Sequence, residues 1–299
     1  MRTPAPTHVA YSDESNYNKG RFRNLALVTL ALANRDDTDR QLRVILAESG
    51  VKELKWAELK QARERFAAEK VVCAVVGLAT AELLRVDVLT WDTQDDRHSV
   101  QGRDDIANLT RMYEHVAQNV LARRWPSEAC WVLHPDENGQ IMWNRVRRNI
   151  NSRPAHLRSL SAFEQQTLLP PVPDWVNVEV CEITQCVSHE QPLCQVADIF
   201  AGLAVYSRTS YDKIEAWERL NSRQGCLDLG DAPSPPRLSN SDKERIPVVL
   251  LLDRLCKAKK LGVSLRKTRG FWTPDPKEHP INFWLYEAQH DADRAPVKG

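Results

Sequence analysis

The run Leu25-Ala26-Leu27-Val28-Thr29-Leu30-Ala31-Leu32 is interrupted by a single hydroxyl. A strand with one wet face alternates apolar and polar residues, whereas a run this continuous reads as a strand buried on both faces. The chain therefore needs a sheet flanked by helices, an α/β fold. His8-Val9-Ala10-Tyr11-Ser12 reads as a preceding strand, joined to it by a hairpin. Further strands are expected over Glu82 to Trp91, Cys130 to His134 and Val176 to Ile183, five in all.

Helices are expected between them. Asp36-Asp37-Thr38-Asp39 offers N-caps for one through Glu48, with Gly50 as its stop. Another runs from Ala57 to about Gly77. Asp104-Asp105 open a third, whose Ile106, Leu109, Met112, Tyr113, Val116, Val120 and Leu121 fall at helical spacing. Leu193 to Tyr206 is apolar nearly all round, and Ser241-Asp242 cap a late helix in which Pro247 allows a bend.

A chain of 299 residues makes one large domain, or one domain with an appendage. The expected division is a disordered start over 1–7, a main domain over 8–220, a mobile Gly/Pro/Ser-rich loop over 221–240, a helical extension packed on the core over 241–290, and a disordered tail over 291–299. Net charge is +1, so no global field points to nucleic acid or membrane. No run of 18 apolar residues exists, and Met1 to Thr7 has no apolar core, so neither a transmembrane helix nor a signal peptide is expected. The seven cysteines are odd in number and irregular in spacing, with no Cys-x-x-Cys. That argues against a disulfide framework and a zinc knuckle, and for small core residues in a cytoplasmic protein.

Chemistry-bearing residues recur at strand ends. Asp13 and Glu14 arrive together where the first strand should stop, before the turn formers Ser15 and Asn16; Asp136 follows the fourth strand in the same way. Sites in open α/β sheets lie outside such ends, and carboxylates hold hard cations there, although solvated turn acids look the same. Glu53 and Lys55 share a side if their segment is extended, as a surface ion pair or as an acid and a cation facing a phosphate. His134 is a base or phosphate contact, or a structural histidine. Gln195 and Asp198 share one face of the apolar helix. A carboxylate in such a helix needs a hydrogen-bonding partner or a metal, because burying it bare is costly.

Two basic stretches stand out. One runs from Met142 to Phe163 and holds Arg145, Arg147, Arg148, Arg153 and Arg158, with His156 among them and no acid; the other runs from Arg254 to Gly270 and includes Lys257, Lys259, Lys260, Arg266, Lys267 and Arg269 without an acid. Each is a solvated face or a phosphate contact.

Asp13-Glu14-Ser15, Glu53-Leu54-Lys55-Trp56, Asp136, Gln195-Val196-Ala197-Asp198-Ile199-Phe200-Ala201-Gly202 and the closing Ile281-Asn282-Phe283-Trp284 occur in this order. The set resembles the bacterial and phage family called domain of unknown function 3800, over roughly residues 8 to 286. Asn16 departs from the glycine usual in that family, and asparagine tolerates the left-handed backbone such a turn uses. The resemblance implies a ribonuclease H-like mixed five-stranded sheet flanked by helices, with acids converging from the first strand, a later parallel strand and a late helix. It implies a nuclease using two magnesium or manganese ions, with Asp13, Asp136 and Asp198 as ligands, Glu53 or Glu14 adding an oxygen, and Lys55 neutralising charge. RNA, DNA or a hybrid would be the substrate, and a protein partner in a phage-defence or mobile-element setting is the further implication. A non-catalytic nucleic-acid-binding or protein-interaction module on the same scaffold is the alternative.

Overall fold

A computed structural model describes residues 4–94, 103–153, 155–156, 175–223, 237–274 and 278–286. The expected termini before residue 4 and after 286, and most of the expected loop over 221–240, lie outside the described residues.

The strands are β1 (His8–Ser15), β2 (Phe22–Ala31), β3 (Arg85–Asp92), β4 (Cys130–Pro135), β5 (Ala155–His156), β6 (Trp175–Val176), β7 (Glu179–Ile183) and β8 (Ile281–Leu285). The helices are α1 (Arg35–Glu48), α2 (Ala62–Thr80), α3 (Asp105–Arg124), α4 (Trp143–Ser152), α5 (Pro192–Thr209), α6 (Tyr211–Arg223) and α7 (Asn240–Ala258). Six strands form one mixed sheet in the order β7-β4-β1-β2-β3-β8, while β5 and β6 make a separate pair. β1, β2 and β3 are antiparallel neighbours; β4 runs parallel to β1, β7 to β4, and β8 to β3. This is a mixed sheet flanked by helices, as expected, with one strand beyond the five. The extra strand is Ile281–Leu285, in the segment read as a helical extension. Its backbone pairs with the open edge of β3, which a short apolar and aromatic segment can complete.

The continuous run of β2 behaves as its composition requires. Ala26, Val28 and Leu30 enter the core shared with α1, α2, α5 and α7, while Leu25 and Leu27 enter the core shared with α3 and α4. Val9 and Tyr11 of β1 face the first core and Ala10 the second. α5 is buried along nearly its whole length across β1 and β2, and buried Asn24 ties β2 to it by donating to the Ala201 carbonyl at 3.1 Å.

Several local expectations shift. Strand β1 continues through Ser15, so Asp13 and Glu14 lie within it and not in a turn beyond it. The turn comes at Asn16, which has φ of 59°. α2 begins at Ala62, because a short 3₁₀ turn at Trp56–Glu58 precedes it. Ser239, and not Ser241, caps α7, its side chain and that of Asp242 each accepting from the other's backbone N–H. Cys130 and Cys181 form a disulfide across β4 and β7, contrary to the expectation of none. Parallel pairing of these two strands brings the thiols together across 51 residues, which spacing does not reveal. Among the described residues no helix is long and apolar enough to cross a membrane.

Candidate metal centre

Alternation along β1 sends Asp13 to the α5 face and Glu14 to the α3 face. Asp13 is 9% exposed. Burial first, then the carboxylates of Asp198, Asp136 and Glu14, push its proton affinity well above the usual range, while the Glu14 N–H opposes this by donating to it at 2.7 Å. Asp136 stands one residue past β4, its N–H donating to the Ser12 carbonyl at 2.8 Å, which fixes it beside β1. Its carboxyl is raised as well, by burial before anything else, and Lys55 opposes the rise. Asp198, on α5, is pushed up to about 6 by burial, against the stabilising effects of the Trp56 N–H and Lys55.

The segment from Glu53 to Trp56 joins these acids because α5 holds it. Gln195 accepts from the Leu54 N–H at 2.9 Å and Asp198 from the Trp56 N–H at 2.5 Å. The two side chains three residues apart thus satisfy two backbone donors that are themselves spaced by two. Glu53 and Lys55 form an ion pair of 2.9 Å and both act electrostatically on Asp136 and Asp198. Trp56 is seated against Gly202, where a β-carbon would stand 2.0 Å from its ring. Arg245 holds the same turn, donating to the carbonyls of Trp56 at 2.9 Å and Ala57 at 3.0 Å.

Of the expected site residues, the structure brings Asp13, Glu53, Lys55, Asp136 and Asp198 together. Glu14 is near enough for its charge to act on Asp13 and Asp136, but its side chain is held elsewhere. On the other face of the sheet its two oxygens accept from Tyr113 at 2.7 Å and Asn138 at 2.6 Å. His134 bonds through Nδ1 to the Thr184 carbonyl at 3.0 Å and stacks on Tyr11, a structural placement.

Two cysteines read as core filler stand within the same neighbourhood. Cys186 forms an isolated parallel bridge with Asp136, and Cys194 precedes Asp198 by one helical turn. The ligand atoms of Asp136, Cys186 and Cys194 all lie within 4.8 Å of one another, a group able to hold a metal ion. Sequence spacing does not flag it, because the three come from a strand end, a loop and a helix. Asp13 acts electrostatically on both Asp136 and Cys194, and Asp136 acts on Asp198.

The basic stretches separate in three dimensions. Arg145 lines a groove of about 510 Å³ between α3 and α4, with Arg103, Arg111 and Arg153 also on its walls. Arg148 is exposed on α4, whereas Arg147 is spent on the fold, donating to the Cys181 carbonyl at 2.8 Å. In the later stretch Lys257 pairs with Asp253 at 2.6 Å, Arg266 with Glu218 at 2.5 Å and Arg269 with Asp212, while Lys267 lies over the Trp272 ring. Lys259 and Lys260 are exposed. The run without acids is therefore partly neutralised by acids from α6 and α7.

No family model matches the chain. It is 36% identical over 297 residues to the uncharacterised protein ORF2′ of Methanothermobacter thermautotrophicus, covering 96% of this chain and 97% of that protein. The uncharacterised protein ORF2 of the same organism is 34% identical with the same coverage. Among solved structures, a chain of the PCNA:RNase HII complex from Archaeoglobus fulgidus aligns over 76% of this chain and 82% of its own, with a TM-score of 0.36 and 14% identity.

Proposed function

We infer the function from the site itself, because the chain belongs to the family of the uncharacterised Methanothermobacter proteins ORF2′ and ORF2. The reading supported best is a divalent-metal-dependent nuclease that hydrolyses phosphodiester bonds. One observation carries it: Asp13, Asp136 and Asp198, from β1, the end of β4 and α5, sit close enough for Asp13 to feel both of the others. Like charges crowded into a half-buried space raise one another's proton affinity unless a cation neutralises them. Lys55 is one positive charge among four acids once Glu53 is included, so the site favours further cations.

The donors are hard oxygens, which suit magnesium or manganese. A pair of such ions, when bound, supplies an activated water and neutralises the leaving oxygen. Asp13, Asp136 and Asp198 would hold them and Glu53 would add an oxygen, while Glu14 belongs to the scaffold. Lys55, oriented by Glu53, would balance charge developing on the phosphoryl group. The α3–α4 groove, where four arginines outnumber Asp104 and Glu114 and Arg153 pairs with Glu114 at 3.5 Å, suits a sugar-phosphate backbone, and Lys259 and Lys260 offer a second contact. RNA, DNA or a hybrid meets these requirements equally, with a protein partner from a defence or mobile-element system as the further reading.

The test is cleavage of RNA, DNA and hybrid substrates with magnesium or manganese by Asp13→Asn and Asp198→Asn. Loss by a factor on the order of 10² or more is expected, the scale of removing a preorganised electrostatic group. Undiminished cleavage in both variants overturns the assignment. Salt-sensitive binding by the unaltered protein without cleavage under any divalent metal marks a binding module instead.

A further inference from the structure

Sulfur at an oxygen-donor site is unexpected. Magnesium and manganese do not seek thiols, and a small core residue needs no partner of its own kind. Yet Cys186 and Cys194 are both free and buried, come from separate segments, and converge on one oxygen-bearing neighbour. Cys186 is fixed by its N–H donating to the Pro135 carbonyl at 2.8 Å, which sets it alongside Asp136. Cys194 is fixed by α5 and turns toward β1, its thiol 3.8 Å from the Ser12 carbonyl.

We propose that Asp136, Cys186 and Cys194 form a second, soft-cation site that takes zinc or a zinc-like ion. Two thiolates and one carboxylate are the donor set that separates zinc from magnesium. A tetrahedral ion with Zn–S distances of about 2.3 Å holds its sulfurs about 3.8 Å apart. Ligand atoms already within 4.8 Å of one another reach that spacing by small side-chain rotations. Water completes the fourth position. Binding releases the two thiol protons to solvent, and no electron is transferred.

Asp136 belongs to both sites, so the two classes of ion oppose each other. A zinc-like ion takes Asp136 from the carboxylate cluster, and by linkage magnesium lowers the affinity for zinc by the same factor. Only this antagonism rests on the nuclease reading; the soft site stands without it.

Cobalt(II) titrated into the reduced full chain under anaerobic conditions, without nucleic acid, tests the site. A thiolate-to-cobalt charge-transfer band should rise to equivalence with the protein and disappear when zinc is added. The band should be lost in Cys186→Ser and in Cys194→Ser and weakened in Asp136→Asn, and it should survive in Cys73→Ser, which removes the exposed thiol. Should a serine variant fail to fold, differential alkylation of the unaltered protein decides: zinc must slow modification of Cys186 and Cys194 and leave Cys73 unaffected. Absence of the band, its survival in both folded serine variants, or equal alkylation with and without zinc overturns the proposal. None of these outcomes measures cleavage, so failure here leaves the nuclease reading intact, and inactive enzyme leaves this site intact.

Discussion

The Trp56 backbone N–H donates to the Asp198 carboxylate at 2.5 Å, so one acid of the cluster also anchors the segment that carries Glu53 and Lys55. Asp198 is therefore both a charge in the site and a structural acceptor. Asparagine preserves an acceptor for Trp56 and alanine does not. Asp198→Ala should cost about 1–3 kcal/mol more than Asp198→Asn, the penalty of a buried donor left unpaired. Urea denaturation of both variants checks this, and equal midpoints would show that the bond contributes nothing to the fold.

Gly202 gives a second handle on the same segment. A β-carbon there meets the Trp56 ring at 2.0 Å, and both neighbours are walled in by α5 and Arg245. Gly202→Ala should destabilise by roughly 1–3 kcal/mol as an overpacked core does. It should also weaken magnesium binding by moving Glu53 and Lys55. Magnesium calorimetry on the folded variant would contradict the coupling if affinity were unchanged.

Stability should depend on pH with an inverted sign for a pair of acids. Burial raises Asp198 from 3.8 to about 6 and raises Asp13 as well. A carboxyl that binds its proton more tightly in the folded state stabilises the fold below its unfolded value and loses that contribution as pH rises through its folded value. In a chelator, these acids should lower the melting temperature as pH rises from about 4 to above 6, and Asp13→Asn should flatten that fall. Saturating magnesium should restore stability above pH 6, because it binds the ionised carboxylates. Melting curves at several pH values, with chelator and with magnesium, would refute this if the unligated site showed no such dependence.

Tyr113 separates the role of Glu14 from that of Asp13. Tyr113→Phe removes the 2.7 Å bond to a carboxylate and should cost about 1.5–3 kcal/mol. Magnesium affinity should stay within a factor of two of the parent if Glu14 is scaffold. A loss comparable to that of Asp13→Asn would place Glu14 among the ligands after all.

The basic residues should divide by their partners. Arg145→Ala should weaken nucleic-acid binding and reduce the salt slope by about 1, as expected for one phosphate contact. Arg266→Ala and Arg269→Ala should instead change stability by less than about 1 kcal/mol, the worth of exposed ion pairs, and leave the slope alone. Fluorescence binding to an oligonucleotide across a salt series distinguishes the two groups.

The residues themselves determined the layered fold: a run such as Leu25 to Leu32 has no stable place except between two helical layers, and an aspartate in the apolar helix at 198 had to have a partner. They also put Asp136 just past a strand end, whereas Asp13, expected at such an end, lies within β1. Only the tertiary structure decided which of two adjacent acids faces the site, because β1 extends through Ser15 and alternation then sends Asp13 and Glu14 to opposite faces. It alone paired the basic run at 254–270 with acids from α6 and α7, joined Cys130 to Cys181, and set Cys186 and Cys194 beside Asp136. The physical reason is the same in each case. Periodicity and turn chemistry are local and are written in neighbouring residues, whereas strand register and helix docking bring together groups separated by tens of residues, and no spacing in the chain records that.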